Sequence, residues 1–214
     1  MKIYPLPSGP IQTIGYLLTE PATGEAVLVD APAEVWEKVQ PVLAKDGCTL
    51  KELWLTHGHW DHTQDAAKIK RAAGVVVRAH RADQHLIETP EVMRDFLMPG
   101  LELEAVKIDA FLQPGDRLAA LGREFEVRHV PGHCPGNVLF YQAAAQVALV
   151  GDALFNGGVG RWDLPGGDFP TLERSIREQI YTLPDETVVL PGHGPRTTVG
   201  DEKEGNPFVA APAR

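Results

Sequence analysis

The chain has 214 residues, roughly 1.4 times a typical domain, which predicts one domain over 1–214 with a sizeable core. Apolar residues make up 43% and charged residues 23%, a composition that excludes disordered, collagen-like and membrane-spanning classes. A formal net charge of −9 argues against a nucleic-acid partner, since phosphate binding relies on Lys and Arg. The start, MKIYPLPSGP, carries no basic region followed by an apolar stretch, and there are only two cysteines, Cys48 and Cys134. Both features fit a cytoplasmic protein without a disulfide framework or a membrane partner.

In chain order, IGYLLT (14–19) and AVLVD (26–30), joined by the turn-like PATGE, read as a hairpin. Val35, Val39, Val42 and Leu43 recur at helical spacing over 34–46, a helix that Pro41 should kink and Gly47 should end. ELWLT then reads as a short buried strand, followed by a histidine-rich loop, a helix from Asp65 to Ala73 stopped by Gly74, and the strand VVVR. His80 and His85 fall in a polar helix. From about residue 107 the pattern turns β-rich, through VKIDAFLQPGD, RLAAL, EFEVRHV, NVLFYQ and VALVG. A helix over 171–180, the strand TVVL and the loop PGHGP complete the chain. Strands in both halves with helices between them predict two sheets packed face to face, helices outside, and a site along one edge.

The chemistry-bearing residues cluster at the ends of predicted strands. His57, His59, Asp61 and His62 form an H-x-H-x-D-H string. Side chains two apart in extended backbone project to one side, so His57 and His59 can grip one ion, and a turn into a helix lets Asp61 and His62 face a second. Imidazoles held this close repel when protonated and cost desolvation when buried, and a metal removes both penalties. His133 in PGH, Asp152 in VGD and His193 in PGHG each follow an apolar strand. Any one of them alone reads as a turn or a helix cap. Together, five histidines and two aspartates supply three ligands to each of two divalent ions, with one carboxylate left to bridge. This donor set suits zinc, with iron or manganese as alternatives. Cys134 points away from its neighbour His133 and reads as structural, and His129 as packing or as an outer support of the site. Gly157, Gly158 and Gly160 before Arg161 and Trp162 read as a loop brought close to a ligand, with Arg161 suited to an anionic substrate. No G-x-S-x-G elbow, P-loop or G-x-G-x-x-G is present.

THGHWDH, PGH, VGD and PGHG, in this order, resemble the metallo-β-lactamase superfamily. GGVGRWDLPGGD and PGHGPRTTVGDEKEGNPF are similar to a short, single-domain branch of glyoxalase II-like hydroxyacylglutathione hydrolases. The resemblance implies an α/β fold, an αββα four-layer sandwich. It also implies one metal on His57, His59 and His133, a second on Asp61, His62 and His193, and Asp152 bridging them. The implied activity is hydrolysis of a small-molecule thioester such as S-D-lactoylglutathione, with a metal-bridged hydroxide attacking the carbonyl. Asp61 and Asp152 are the implied catalytic carboxylates, and Arg161, Gly158 and Trp162 the substrate contacts. Full-length glyoxalase II adds a helical C-terminal domain, whereas here 21 residues follow His193. Trp162-Asp163 stand where those enzymes place a tyrosine beside the basic residue, and Ile14-Gly15 where the short branch commonly has a polar residue. The alternatives are a mononuclear iron persulfide dioxygenase using His57, His133 and Asp152, a lactonase or other ester hydrolase, and a metal-binding module without turnover.

Overall fold

A computed structural model describes residues 1–98 and 100–210. The chain divides into two compact units, Met1–Leu112 with Ala119–Arg123, and Gln113–Leu118 with the chain from Glu124 onward.

The first unit is built on a six-stranded sheet of order β1-β2-β3-β4-β5-β6, from Lys2–Ser8, Thr13–Glu20, Glu25–Val29, Thr49–Trp54, Val76–His80 and Ala110–Leu112. The first three strands are antiparallel and the last three join in parallel. A parallel neighbour needs a crossover. These are α1 (Val35–Asp46), the short α2 (Trp60–Thr63) with α3 (Ala66–Ala73), and α4 (Gln84–Glu88). Val35 and Val39 of α1 and Ala66, Ala67 and Ile69 of α3 are buried in one core with Leu17, Leu28, Leu53 and Val77 of the sheet. Three parallel strands thus end at the same edge, and Asp30, Thr56 to His62 and Asp83 lie just beyond β3, β4 and β5.

Three details depart from the sequence reading. β1 precedes the predicted hairpin and carries Pro5 and Pro7, which an edge strand tolerates because it needs no second ladder partner. Helix α1 carries Pro41 inside it, as the sequence reading has it, at an exposed position. The helix predicted from Asp65 is preceded by a separate turn of helix, α2, that carries Asp61 and His62. His80 is not helical but ends β5, where its Nδ1 accepts the Ala82 N–H, while His85 lies in α4 and is exposed.

The second six-stranded sheet, which but for Ala119, Ala120 and Arg123 belongs to the second unit, has the order β14-β13-β10-β9-β8-β7, from Thr197–Thr198, Val188–Pro191, Val147–Gly151, Val138–Gln142, Arg123–His129 and Arg117–Ala120. β10 and β13 are parallel, which demands the crossover supplied by α5 (Phe169–Ser175) and the π-helical turn Ile176–Ile180 that continues it. Leu172, Ile176 and Ile180 bury against Val130, Leu139, Val150 and Val189. A two-stranded ribbon, β11 (Leu154–Phe155) with β12 (Gly158–Val159), leaves the end of β10, and α6 (Val199–Gly205) follows β14. Because β10 and β13 run in parallel, Asp152 and His193 emerge at the same sheet edge, where the Gly192 N–H donates to the Gly151 carbonyl at 2.8 Å. No helix among the described residues is long and apolar enough to cross a membrane.

Asp46, the last residue of α1, ties that helix to β1 and β2. Its carboxylate accepts from Lys2 Nζ at 2.6 Å, Thr19 Oγ1 at 2.6 Å and Tyr4 OH at 2.9 Å. The lysine bond and then the threonine hydroxyl hold the carboxyl down to about 2. A carboxyl depressed on folding stabilises above its ordinary value near 3.8 and loses that contribution as pH falls toward 2. Asp46→Asn should therefore lower the midpoint of thermal unfolding at pH 7, with the gap to wild type closing between about pH 4 and pH 2; a gap independent of pH would show that the charge contributes nothing.

Candidate metal centre

In the first unit the chain leaves β4 extended, and His57 and His59 project from it to bring their ring centroids to 4.8 Å. His59 keeps the extended conformation (φ −66°, ψ 149°) and opens α2. One helical turn then sets the His62 ring 4.0 Å from that of His57 and places His62 Nε2 3.3 Å from Asp61 Oδ2. His57, Asp61 and His62 are buried, while His59 is half-buried. Gly58 between the two histidines is obligatory. Its N–H donates to Asp83 Oδ2 at 2.9 Å, and a Cβ would stand 2.8 Å from the Leu86 Cβ and 3.1 Å from that of Asp83.

Asp30, at the end of β3, orders this cluster. Oδ1 accepts the Thr56 N–H at 2.7 Å, and Oδ2 accepts both the Thr56 hydroxyl and His62 Nδ1–H at 2.8 Å. With its hydroxyl proton given to Asp30, Thr56 Oγ1 accepts from His57 Nδ1–H at 3.0 Å. One buried carboxylate thus fixes the Nδ1–H tautomer of two histidines, which makes Nε2 the ligating nitrogen of each. Thr13 Oγ1 donates to Asp61 Oδ2 at 2.7 Å and orients that carboxylate.

In the second unit the same logic uses a backbone acceptor. His133 donates through Nδ1 to the Arg161 carbonyl at 2.7 Å, which turns Nε2 toward Asp152. Asp152 Oδ2 lies 3.7 Å from His133 Nε2 and 3.5 Å from His193 Nε2. The Arg161 carbonyl reaches His133 only because residue 160 is glycine: a Cβ there would sit 1.8 Å from the Asp152 carbonyl oxygen and 2.9 Å from His133 Nδ1.

The three histidine–carboxylate separations, 3.3, 3.5 and 3.7 Å, are long for charge-assisted hydrogen bonds. They match two ligands of one ion. Donors about 2.05 Å from a tetrahedral centre lie about 3.4 Å apart. Both clusters therefore fit a divalent cation in spacing, donor type and tautomer.

Of the remaining sequence candidates, Arg161 is exposed and its guanidinium pairs with Asp163 at 2.9 and 3.0 Å. Trp162 is 38% exposed and stands over Phe169 at 4.7 Å and Phe208 at 6.1 Å between ring centroids. The Gly158 carbonyl accepts from Asn206 Nδ2 at 3.1 Å. His129 bonds the Pro135 carbonyl at 2.7 Å, as a packing residue would, and Cys48 and Cys134 are buried and form no disulfide. Sequence reasoning missed Asp30, Thr13, Thr56 and Asp83. Asp30 carried a signal, since it follows an apolar strand as directly as the candidate ligands do.

The sequence profile of the metallo-β-lactamase superfamily matches residues 9–193. Hydroxyacylglutathione hydrolase GloC of Haemophilus influenzae is 40% identical over 192 residues, 86% of this chain and 87% of that protein. The crystal structure of BLEG-1, a B3 metallo-β-lactamase, superposes with a TM-score of 0.90 at 34% identity, covering 97% of this chain and 99% of the other. That of TTHA1623 in a di-iron-bound form superposes with a TM-score of 0.85 at 38% identity, covering 96% and 99%. The mixed α/β architecture with two sheets is the metallo-β-lactamase fold that the motifs implied. The chain belongs to the metallo-β-lactamase superfamily and is a metallo-hydrolase.

Proposed function

We propose that this enzyme is a binuclear hydrolase of thioesters formed by 2-hydroxy acids, of which S-D-lactoylglutathione is the type. The observation that carries the reading is the single oxygen of Asp152 that stands between the imidazoles of His133 and His193. A carboxylate flanked in this way is suited to bridge two ions. His57, His59 and His133 would hold one, and Asp61, His62 and His193 the other. The name of the GloC relative supports the substrate class. The imidazole and carboxylate donors suit zinc first, with iron or manganese compatible, and the di-iron form of TTHA1623 supports iron as an occupant.

When bound, two such ions supply a hydroxide nucleophile near neutral pH and Lewis-acid polarisation of the thioester carbonyl. The residues of the chain do the rest. Asp30 and the Arg161 carbonyl keep protons on the Nδ1 atoms of the histidines they face, so Nε2 stays deprotonated toward the site. Asp61, its Oδ2 steered by Thr13, would hold a proton at its carboxylate and pass it on. The leaving thiolate, whose conjugate acid has a pKa of about 8.5, departs without a dedicated acid. Exposed ion pairs are weakly held. The substrate carboxylate can therefore displace Asp163 from Arg161, with Gly158 and Trp162 lining the approach. Buried, unbridged cysteines and the acidic balance fit a cytoplasmic enzyme with a small-molecule substrate.

Metal-replete protein should cleave S-D-lactoylglutathione with kcat/KM on the order of 10⁴ M⁻¹s⁻¹ or more, followed as free thiol released. Asp152→Ala should lower that value by roughly a hundredfold or more, the scale of several kcal/mol of lost transition-state stabilisation. No cleavage by the loaded wild type would overturn the substrate, and near-normal turnover in the variant would overturn the bridge. Asp30→Asn turns an amide donor toward Thr56 Oγ1 and His62 Nδ1. It should weaken metal retention about 10- to 100-fold in chelator competition while the circular dichroism spectrum is kept; unchanged retention would remove Asp30 from the account.

A further inference from the structure

The motif DEKEGNPF is not used by the hydrolytic scheme above, yet it contains Glu202, a buried acidic side chain in α6. Every group around its carboxylate is a donor. The Gly157 N–H reaches Oε2 at 3.1 Å and Oε1 at 3.2 Å, Thr197 Oγ1 donates to Oε1 at 2.7 Å, and Asn206 Nδ2 donates to Oε2 at 2.7 Å. Asn206 cannot turn its amide over to suit another partner. Its Oδ1 accepts the backbone N–H groups of Phe208 and Val209, and its Nδ2 also donates to the Gly158 carbonyl at 3.1 Å. The helix itself is anchored, because Tyr181 OH donates to the Glu202 carbonyl at 3.0 Å.

The two side chains therefore grip both the N–H of Gly157 and the C=O of Gly158, at the turn of the β11–β12 ribbon. That ribbon begins at Leu154, two residues after Asp152, and ends at Val159, one residue before Gly160. Gly160 packs on the Asp152 backbone and the His133 ring, and the next carbonyl receives the His133 Nδ1 proton. Displacing the ribbon thus moves the acceptor that aims His133 and the backbone that carries Asp152.

We propose that Glu202, acting with Asn206, is a positioning residue that sets His133 and Asp152 for metal binding, a role that rests on the ligand assignments proposed above for those two residues. A glutamine at 202 has the right shape and the wrong chemistry. Its NH2 would face either the Asn206 amide, which has no second orientation to offer it, or the Thr197 hydroxyl, which must then turn from donor to acceptor while the Gly157 N–H keeps one acceptor oxygen instead of two.

The test is competition for Zn²⁺ between the zinc-loaded full-length protein and a chromophoric chelator. Wild type is compared with Glu202→Gln, Asn206→Ala and Lys203→Ala, the last removing the α6 partner of a surface pair with Asp185, which precedes β13. Glu202→Gln and Asn206→Ala should lose roughly tenfold in zinc affinity, the lower end of what loss of an outer partner of a ligand costs. Lys203→Ala should keep wild-type affinity and turnover. Thr197→Val, which removes one donor only, replaces Glu202→Gln if that variant does not fold, with a smaller loss in the same direction. Wild-type zinc affinity in the folded variants, even with a lowered melting temperature, would reduce Glu202 to a structural role and overturn the proposal. The readout is independent of substrate. Failure of the wild type to cleave a thioester would overturn the proposed substrate and leave this inference standing, and unchanged affinity with full turnover would do the reverse.

Discussion

Holding several imidazoles and carboxylates together with little solvent is the constraint on which the local structure depends. His57, His62 and Asp61 in one unit, and His133 and Asp152 in the other, are all buried. Burial takes hydration from each such group and penalises its charged form. The neighbouring structure answers this by controlling protons. Nδ1 of His62 is bound by a carboxylate, that of His57 by a hydroxyl whose own proton is committed, and that of His133 by a backbone carbonyl. All three devices leave Nε2 as the face presented inward, which is the form a divalent ion requires.

Strand direction is what brings these groups to one edge within each unit. Parallel strands deliver their C-terminal ends side by side, so Asp30, the histidine string and Asp83 follow three neighbouring strands in the first sheet. Asp152 and His193 follow two in the second. Glycine enters where backbone must touch a candidate ligand. Gly58 lets the Asp83 carboxylate hold the turn between two histidines, and Gly160 lets a carbonyl reach His133. A side chain at either position would push the backbone off the residue it orients, with no candidate ligand changed.

Much of this was legible in the amino-acid order, because ligands to one ion must be close and strand ends are marked by apolar runs. The H-x-H-x-D-H string and the three strand-end residues His133, Asp152 and His193 were read from their positions. What could not be read was the layer behind them. Asp30 is one aspartate after one strand, and nothing in its spacing tells that it faces Thr56 and His62 from 26 and 32 residues away. Glu202 looks like one more charge on a polar helix until its burial and its three donor residues are seen. The four-residue helix that presents Asp61 and His62 is too short to show a period of its own, and prolines at alternate positions disguise β1 as loop. At Arg161 the charged side chain pairs with Asp163, whereas the carbonyl, which no sequence pattern marks, is the group that touches a candidate ligand.

The claim that most needs testing is that these clusters hold a pair of ions rather than one. The direct measurement is metal per chain by elemental analysis of protein equilibrated with Zn²⁺ and freed of loosely bound ion, for wild type and Asp152→Ala side by side. Two ions per chain in the wild type, falling to one or fewer in the variant, is the expected result. A single ion per chain in the wild type, or a count that Asp152→Ala leaves unchanged, would contradict the paired site.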